Sequence, residues 1–400
     1  MTISEFMYIH GASPEQVAAR ECLSRLLDAM EQGLAGHGNI PMLPSYLPGR
    51  IPVIPGARCC VLDAGGTNLR TAAASFDADG KCHLEGLRKC RMPGTEGPLR
   101  FAEFYEALAQ PLRELGGFEK IGFCFSYNVT MDRTLDGTLD FWCKEVRVPE
   151  AVGRSVGGSL KNALGSGCES VHVLNDSVAA MLGAGDVQVG VILGTGVNVC
   201  YQEQCGKIPK VPGDLKSETM IISTEIGEFD GIPISDFEQP VIDGSDAPGS
   251  AHAEKQCSGA YLGDVILAAW HTAAREGLLP EAFRTIHCGL ADISCLLTGQ
   301  QVSGIPDVRE AAEIARTAIN RAAKIAAVLC AGPILRAVQP GQTARVAVEG
   351  SQYWKLTGFR DPFCRELDAL LAPEGVCFEI IQSENACLIG AALAAFARPM

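Results

Sequence analysis

The amino-acid sequence predicts an α/β protein, and three observations carry that expectation. Short apolar runs rich in Val, Ile, Cys and Phe alternate along the chain with segments of helical period. Apolar residues make up 47% of the chain against 20% charged, with 44 Gly and 22 Pro, a balance that buries a core rather than staying disordered. Its 400 residues give room for two or three structural units and exclude one small module.

The elements follow in order. Ser13, Pro14 and Gln16 read as N-cap, first-turn proline and capping-box partner of an opening amphipathic helix, in which Val17, Leu23, Leu26, Leu27, Met30 and Leu34 recur up to Gly36. A Pro-rich connector covers residues 40 to 56. Residues 59 to 92 read as two or more strands with a turn at Asp77 to Gly80, residues 99 to 116 as a helix, and 120 to 127 as a buried strand. A strand from Val171 to Asp176 leads into a short helix, and residues 189 to 202 into a strand, glycine turn and strand. Asp307 and Glu310 are expected to cap a long helix through Ile314, Ala318, Ile325 and Leu329, and an Ala-rich helix ends near Arg398.

Composition also limits function. Thirty-three Lys plus Arg against 47 Asp plus Glu leave a net charge of −14, which repels phosphate backbones and anionic lipid, so no nucleic-acid and no membrane partner is expected. The 17 Cys are scattered without a C-x-x-C pair, unlike a zinc cage or a disulfide framework. No uncharged apolar stretch reaches the roughly 18 residues of a span, and a reducing cytoplasmic location is expected.

Tandem repeats are absent, but a subtler echo is present. Residues 60 to 74 (CVLDAGGTNLRTAAA) and 189 to 202 (VGVILGTGVNVCYQ) share one plan: apolar strand, Gly/Thr turn with an Asn beyond it, second apolar strand. Gly65, Gly66 and Thr67 shrink the side chains at a turn, so backbone N–H groups can point at an anion. Neither tip is a Walker loop or a dinucleotide fingerprint. A plain hairpin turn uses the same residues, and it is their occurrence twice that favours a phosphate cradle. Asp63 could hold hydrated magnesium there or merely cap the turn. Asn175 and Asp176 stand where a strand meets a helix, either as ordinary caps or as substrate-fixing amide and general base for an alcohol. No metal-ligand His spacing and no G-x-S-x-G is found.

Taken in order, the motifs MLPSYLP (42 to 48), LDAGGTNLR (62 to 70), GFCFSYN (122 to 128), WCKE (142 to 145), VLNDSVAAML (173 to 182), ILGTGVNVCY (192 to 201), IISTEIGEF (221 to 229), PGSAHAEK through SGAYLGD (248 to 264), VAVEGSQY (346 to 353) and SENACLIGAAL (383 to 393) resemble the eukaryotic-type hexokinase family from about Ile40 to Ala395. The resemblance implies a two-lobed actin-like ATPase (ribonuclease H-like) fold with a cleft, the small lobe formed by residues 55–174 plus 388–400 and the large lobe by 1–54 plus 175–387. It implies ATP and Mg2+ as cofactors and transfer of the γ-phosphoryl to the 6-hydroxyl of a hexose, glucose first. Asp176 would be the general base, with Ser126, Cys143, Lys144, Asn175, Asn198, Glu225 and Glu254 around the sugar. Asp63, Gly65, Gly66, Thr67, Asn68 and Arg70 would serve metal and phosphates, Asp63 holding the magnesium through water. Gly194, Thr195 and Gly196 would grip the phosphates from the other side, and Gly350 with Ser351 the adenosine.

Four positions depart from the family pattern: Cys143 for Thr, Asn128 for Pro, Ser223 for Asn and Glu349 for Asp. A catalytically weak hexose sensor on the same fold is the alternative these departures suggest, and retention of Asp176 with both loops counts against it. An actin-like ATPase without a sugar has no need of Ser126, Lys144, Glu225 and Glu254 together.

Overall fold

The structure is a computed structural model that describes residues 1–116, 118–142 and 146–400. Its strands form two large sheets built to one plan. The first sheet orders Cys82–Arg91, Asn68–Phe76, Arg58–Ala64, Lys120–Phe125 and Ser170–Leu174. The second orders Leu43–Pro44, Thr219–Ser223, Val197–Gln204, Val189–Leu193, Thr343–Glu349 and Cys377–Ile381. In each, an antiparallel meander of three strands is extended by two parallel strands laid beside the meander's first strand. The two glycine hairpins echoed in the sequence are the first two strands of each unit, so the echo belongs to a repeat of the whole sheet. Leu43–Pro44 is the one addition. It adds to the edge strand Thr219–Ser223, stitching the Pro-rich connector to the second sheet.

The fifth strand of each unit runs into a helix, Asp176–Gly183 after the first sheet and Ala386–Ala394 after the second. These two helices cross backbone to backbone. A Cβ on Gly183 would stand 1.9 Å from the Ala386 carbonyl oxygen, and a Cβ on Gly390 would stand 1.9 Å from that of Ala179. Only hydrogen fits at either point, so small residues set the spacing between the two units. The lobe boundary expected between 387 and 388 falls inside the second of these helices.

The largest apolar cluster lies around the helix Arg309–Ala337, against which Ala19–Leu34, Leu262–Arg275 and Arg360–Leu371 pack. By length and composition this helix could cross a membrane, but 83% of its most apolar window is buried inside the protein, which is the burial of a core helix. Arg321, midway along it, donates through Nε to Glu238 Oε1 at 2.8 Å, with both side chains no more than 3% exposed. Such a pair fixes position more than it stabilises, because desolvation offsets most of the attraction.

Three sequence expectations change. A helix, Ile3–Ile9, precedes the expected first one, closed by a capping box in which Thr2 and Glu5 bond each other's backbone N–H groups. Ser13, Pro14 and Gln16 start only a single turn, Pro14–Gln16, and the long helix begins separately at Ala19. The helix of the second half runs through Leu329 as expected and on through Pro333 to Ala337, but it starts at Arg309 without a side-chain cap from Asp307.

The crossing makes a prediction with a sign. Alanine is favoured over glycine in a helix by about 1 kcal/mol. At position 390 its Cβ meets a backbone oxygen that no rotamer change can clear, so Gly390→Ala should instead destabilise by about 1–3 kcal/mol, the usual cost of overpacking. Urea denaturation midpoints read this directly, and a stabilised variant would show that the helices do not touch there.

Candidate active site

The first hairpin tip, residues 65 to 67, is closed by Gly65 N–H donating to the Asn68 carbonyl at 3.0 Å. Thr67 and Asn68 are exposed at it, while Asp63 is buried one residue before the strand's end. Arg70, directly opposite Asp63 in the register, donates through Nε to its Oδ2 at 2.7 Å. The tip is further held by Tyr127, whose hydroxyl donates to the Gly65 carbonyl at 2.9 Å, and by the Met92 N–H on the Thr67 carbonyl.

The second tip, residues 194 to 196, closes in the same way, with Gly194 N–H on the Gly196 carbonyl at 3.0 Å, and Thr195 is exposed at its apex. Gly259 and Ala260 donate their N–H groups to the Gly194 and Thr195 carbonyls. Gly350 stacks against this tip at φ +120°, where a Cβ would lie 2.1 Å from the Leu193 carbonyl oxygen. No other residue type fits position 350, and Ser351 follows at the start of a short helix.

Asn175 is the N-cap of Asp176–Gly183, its Oδ1 accepting from the N–H of Ser177 at 2.9 Å. Capping and site roles coexist here, since the cap uses only Oδ1 and leaves the amide NH2, which reaches Glu225 Oε1 at 3.5 Å. Asp176 Oδ1 accepts from the same Ser177 N–H at 2.8 Å, and Oδ2 has no hydrogen-bond partner among the described residues.

Glu225 is the centre of this polar cluster. Its backbone is left-handed, φ +54° and ψ 45°, and its N–H donates to Asn198 Oδ1 at 3.0 Å. The Val199 N–H also donates to Asn198 Oδ1, which turns the Asn198 NH2 toward Glu225 Oε1 at 2.8 Å. Ser223 Oγ donates to the same oxygen at 2.9 Å. Burial pushes the Glu225 carboxyl up to about 7; the Ser223 and Asn198 donors pull against that, and the charges of Asp176 and Glu254 add to it. Glu254 is anchored beside it, Oε2 accepting from the Val197 N–H at 2.9 Å.

Glu349 of the second unit lies near enough to Arg70 of the first to feel its charge. Burial raises the Glu349 carboxyl, the Arg70 guanidinium opposes the rise, and the Asp63 charge adds to it. Cys124, at the end of Lys120–Phe125, hydrogen-bonds Cys387, and that bond together with burial holds its thiol far above the usual range. The charges of Asp63 and Asp176 add to the effect, which places both carboxylates beside this thiol. One apolar-walled recess is lined by Leu43, Phe125, Tyr127, Met131, Asn175 and Glu225.

Of the expected sugar residues, Asn175, Asn198 and Glu225 are joined by direct hydrogen bonds, with Glu254 and Asp176 near enough to influence the Glu225 charge. Ser126 is buried between Phe125 and Tyr127, its N–H on the Ala64 carbonyl at the base of the first tip. Cys143 and Lys144 lie outside the described residues. Asp63 with Arg70, and Gly194 to Gly196 with Gly350, assemble as two clusters at the hairpin tips. Ser223 joins the Asn198–Glu225 cluster and Glu349 lies near Arg70 and Asp63, both from positions that the sequence marks only as departures from a family pattern. Their signal is adjacency, each within two residues of an expected site residue.

Known proteins resemble this chain in sequence and in fold. Two family models, both described as Hexokinase, match residues 8–185 and 188–397. A chloroplastic hexokinase-4 of Oryza sativa subsp. japonica is 28% identical over 94% of this chain and 85% of its own length. Hexokinase-1 of Schizosaccharomyces pombe is 30% identical over 71% of this chain and 60% of its own length. Among solved structures, a hexokinase of Schistosoma mansoni complexed with glucose superposes with a TM-score of 0.82 at 24% identity, covering 98% of both chains. A ROK hexokinase of Thermus thermophilus superposes more loosely, with a TM-score of 0.54 at 19% identity over 85% of this chain and 98% of its own. These likenesses show the two-lobed α/β actin-like fold.

The Glu225 environment gives a pH dependence of known sign. A carboxyl that holds its proton to about pH 7 when folded, against 4.5 ordinarily, favours the folded state fully below pH 4.5, and this advantage is lost as pH rises through 7. Glu225→Gln removes the titration. The melting temperature of the ligand-free wild type should therefore fall relative to this variant between pH 5 and 8, and parallel curves would show that Glu225 is ionised throughout.

Proposed function

The chain belongs to the hexokinase family and is a sugar kinase, and from that premise we propose that it transfers the γ-phosphoryl of ATP to the 6-hydroxyl of glucose with Asp176 as the general base. The observation that carries this reading is the direct linkage of Asn175, Asn198 and Glu225 at the N-terminus of the helix that Asp176 begins. A hexose presents hydroxyls that both donate and accept. A cluster of amides and carboxylates can pair each of them and leave buried groups unpaired for the wrong epimer.

In this proposal Asp176 Oδ2 accepts the proton of the 6-hydroxyl while Oδ1 stays on the Ser177 N–H, so the carboxylate keeps one orientation through the transfer. Asn175 and Glu225 orient the sugar, and Ser126, Cys143, Lys144, Asn198 and Glu254 complete its surroundings. The backbone of Gly65 to Asn68 and of Gly194 to Gly196 cradles the phosphates with the Thr67 and Thr195 hydroxyls, Arg70 offers its guanidinium, and Gly350 with Ser351 receives the adenosine.

Magnesium fits this chain as a hydrated ion. Among the described residues no group of three or more His, Cys, Asp or Glu could hold a metal, and Asp63 supplies one buried carboxylate beside the first tip. One carboxylate with water and phosphate oxygens is an ordinary magnesium environment. When bound, the ion would offset the negative charge that builds on the phosphates during transfer.

The proposal extends to place and architecture. Residues 55–174 with 388–400 would act as a small lobe closing on residues 1–54 with 175–387, expelling water that could take the phosphoryl group. Cytoplasmic location, and a role in carbohydrate phosphorylation ahead of glycolysis, follow the same reading.

ADP release with Mg-ATP and, in turn, glucose, fructose, mannose or N-acetylglucosamine tests the activity and ranks the sugars. Asp176→Ala should lower kcat by about 10²–10⁴, the usual worth of a general base, while sugar binding stays within about tenfold. A variant with near-normal turnover would remove Asp176 from the mechanism. Tight sugar binding by the wild type with no sugar-dependent ADP release would favour a sensor instead.

A further inference from the structure

The polar cluster holds one residue that none of the sugar-binding assignments includes. Ser223 ends the strand Thr219–Ser223, and its hydroxyl is buried between Asn198 and Glu225. Asn198 cannot rotate its amide, because Oδ1 accepts the backbone N–H groups of Val199 and Glu225 at 2.8 and 3.0 Å. Its NH2 therefore points at Ser223 Oγ, 3.0 Å away, and can only donate. The Ser223 hydroxyl accepts that bond, so its own hydrogen goes to Glu225 Oε1 at 2.9 Å. Asn198 Nδ2 at 2.8 Å and Asn175 Nδ2 at 3.5 Å donate to the same oxygen. Oε2 has no hydrogen-bond partner among the described residues.

This convergence has a chemical consequence. An oxygen surrounded by donors cannot carry a proton, so whenever the Glu225 carboxyl is neutral the proton sits on Oε2, and whenever it is ionised Oε2 is an acceptor. We propose that Ser223 is a positioning residue that confines protonation of Glu225 to Oε2 and favours the ionised form, so that hexose affinity rises with pH through the Glu225 transition. The inference rests on the hexose-kinase reading above. A charged acceptor binds a sugar hydroxyl more tightly than a neutral donor does, which gives the direction.

The charged and titratable groups facing Glu225 are Asp176, from the start of its helix, and Glu254, from His252–Cys257. Both favour the neutral form. The Ser223 and Asn198 donors work in the opposite direction, and burial sets the balance close to neutrality. Removing one donor to a charged carboxylate should therefore displace the transition upward by about one pH unit, equivalent to a tenfold change in the protonation equilibrium.

The experiment measures hexose KM and kcat from pH 5.5 to 9 for the wild type, Ser223→Ala and Ser223→Asn, which restores an amide donor. Expected are a KM for Ser223→Ala about fivefold above wild type near pH 7 and approaching tenfold by pH 6, a gap that closes by pH 9, kcat within about threefold, and a Ser223→Asn profile close to wild type. A KM raised by one constant factor at every pH would reduce Ser223 to packing and overturn the inference. If Ser223→Ala does not fold, calorimetry of the wild type decides: hexose binding at pH 6.5 should release a proton into the buffer, and Glu225→Gln should not. Equal proton release by the two would overturn the inference as well. Absence of any hexose-dependent ADP release by the wild type would sink the kinase reading, whereas normal turnover with unshifted profiles would sink the Ser223 role alone.

Discussion

Backbone contact between two crossing helices is the constraint from which the rest of the molecule follows. Each sheet ends in one of these helices, and each helix brings a glycine to the other's carbonyl oxygen. The two helices thereby approach so closely that no side chain fits between them at Gly183 and Gly390. The helix of the first unit begins with Asp176, and the helix of the second follows the strand beside Gly350, so one crossing locates the proposed base and the segment proposed to receive the adenosine together. Cys124 and Cys387, hydrogen-bonded near Asp63 and Asp176, fill the space beside it.

The site divides its charges by location. On the side proposed for the phosphates, carboxylates are matched by a guanidinium: Arg70 bonds Asp63 and opposes the rise of Glu349. On the side proposed for the sugar, no described cation is bonded to Glu225, and neutral donors from Asn175, Asn198 and Ser223 take that place. The difference suits the ligands proposed. A polyphosphate needs positive charge, whereas a neutral sugar is read by hydrogen bonds whose polarity must be fixed in advance.

Local features were legible in the sequence and distant pairings were not. Both hairpins could be read because Gly, Thr and Asn at a tight turn leave a pattern within fifteen residues, and Asn175 because an N-cap is defined by its immediate neighbours. The opening helix Ile3–Ile9 escaped since seven residues hold too few turns to show a period, although Thr2 and Glu5 spell out its cap. The join of Val189–Leu193 to Thr343–Glu349, and of Leu43–Pro44 to Thr219–Ser223, left no local trace. Those two joins bring Gly350 to the second tip and seat Leu43 beside Ser223. Glu349 and Ser223 could be noticed only as unusual letters, because their partners arrive from other elements.

Glu225 adopts a left-handed backbone, a conformation that costs a residue with a Cβ roughly 1–2 kcal/mol. The Asn198 side chain holds that backbone through its oxygen and the carboxyl through its nitrogen, so shape and charge at position 225 are tied to one amide. A substitution at 198 therefore disturbs both at once and leaves little room for gradual change. Ser223 touches the Asn198 amide and the Glu225 carboxyl with its side chain and leaves the Glu225 backbone alone. A substitution at 223 would therefore alter the donors to the Glu225 carboxyl while the clasp on the Glu225 backbone stays in place.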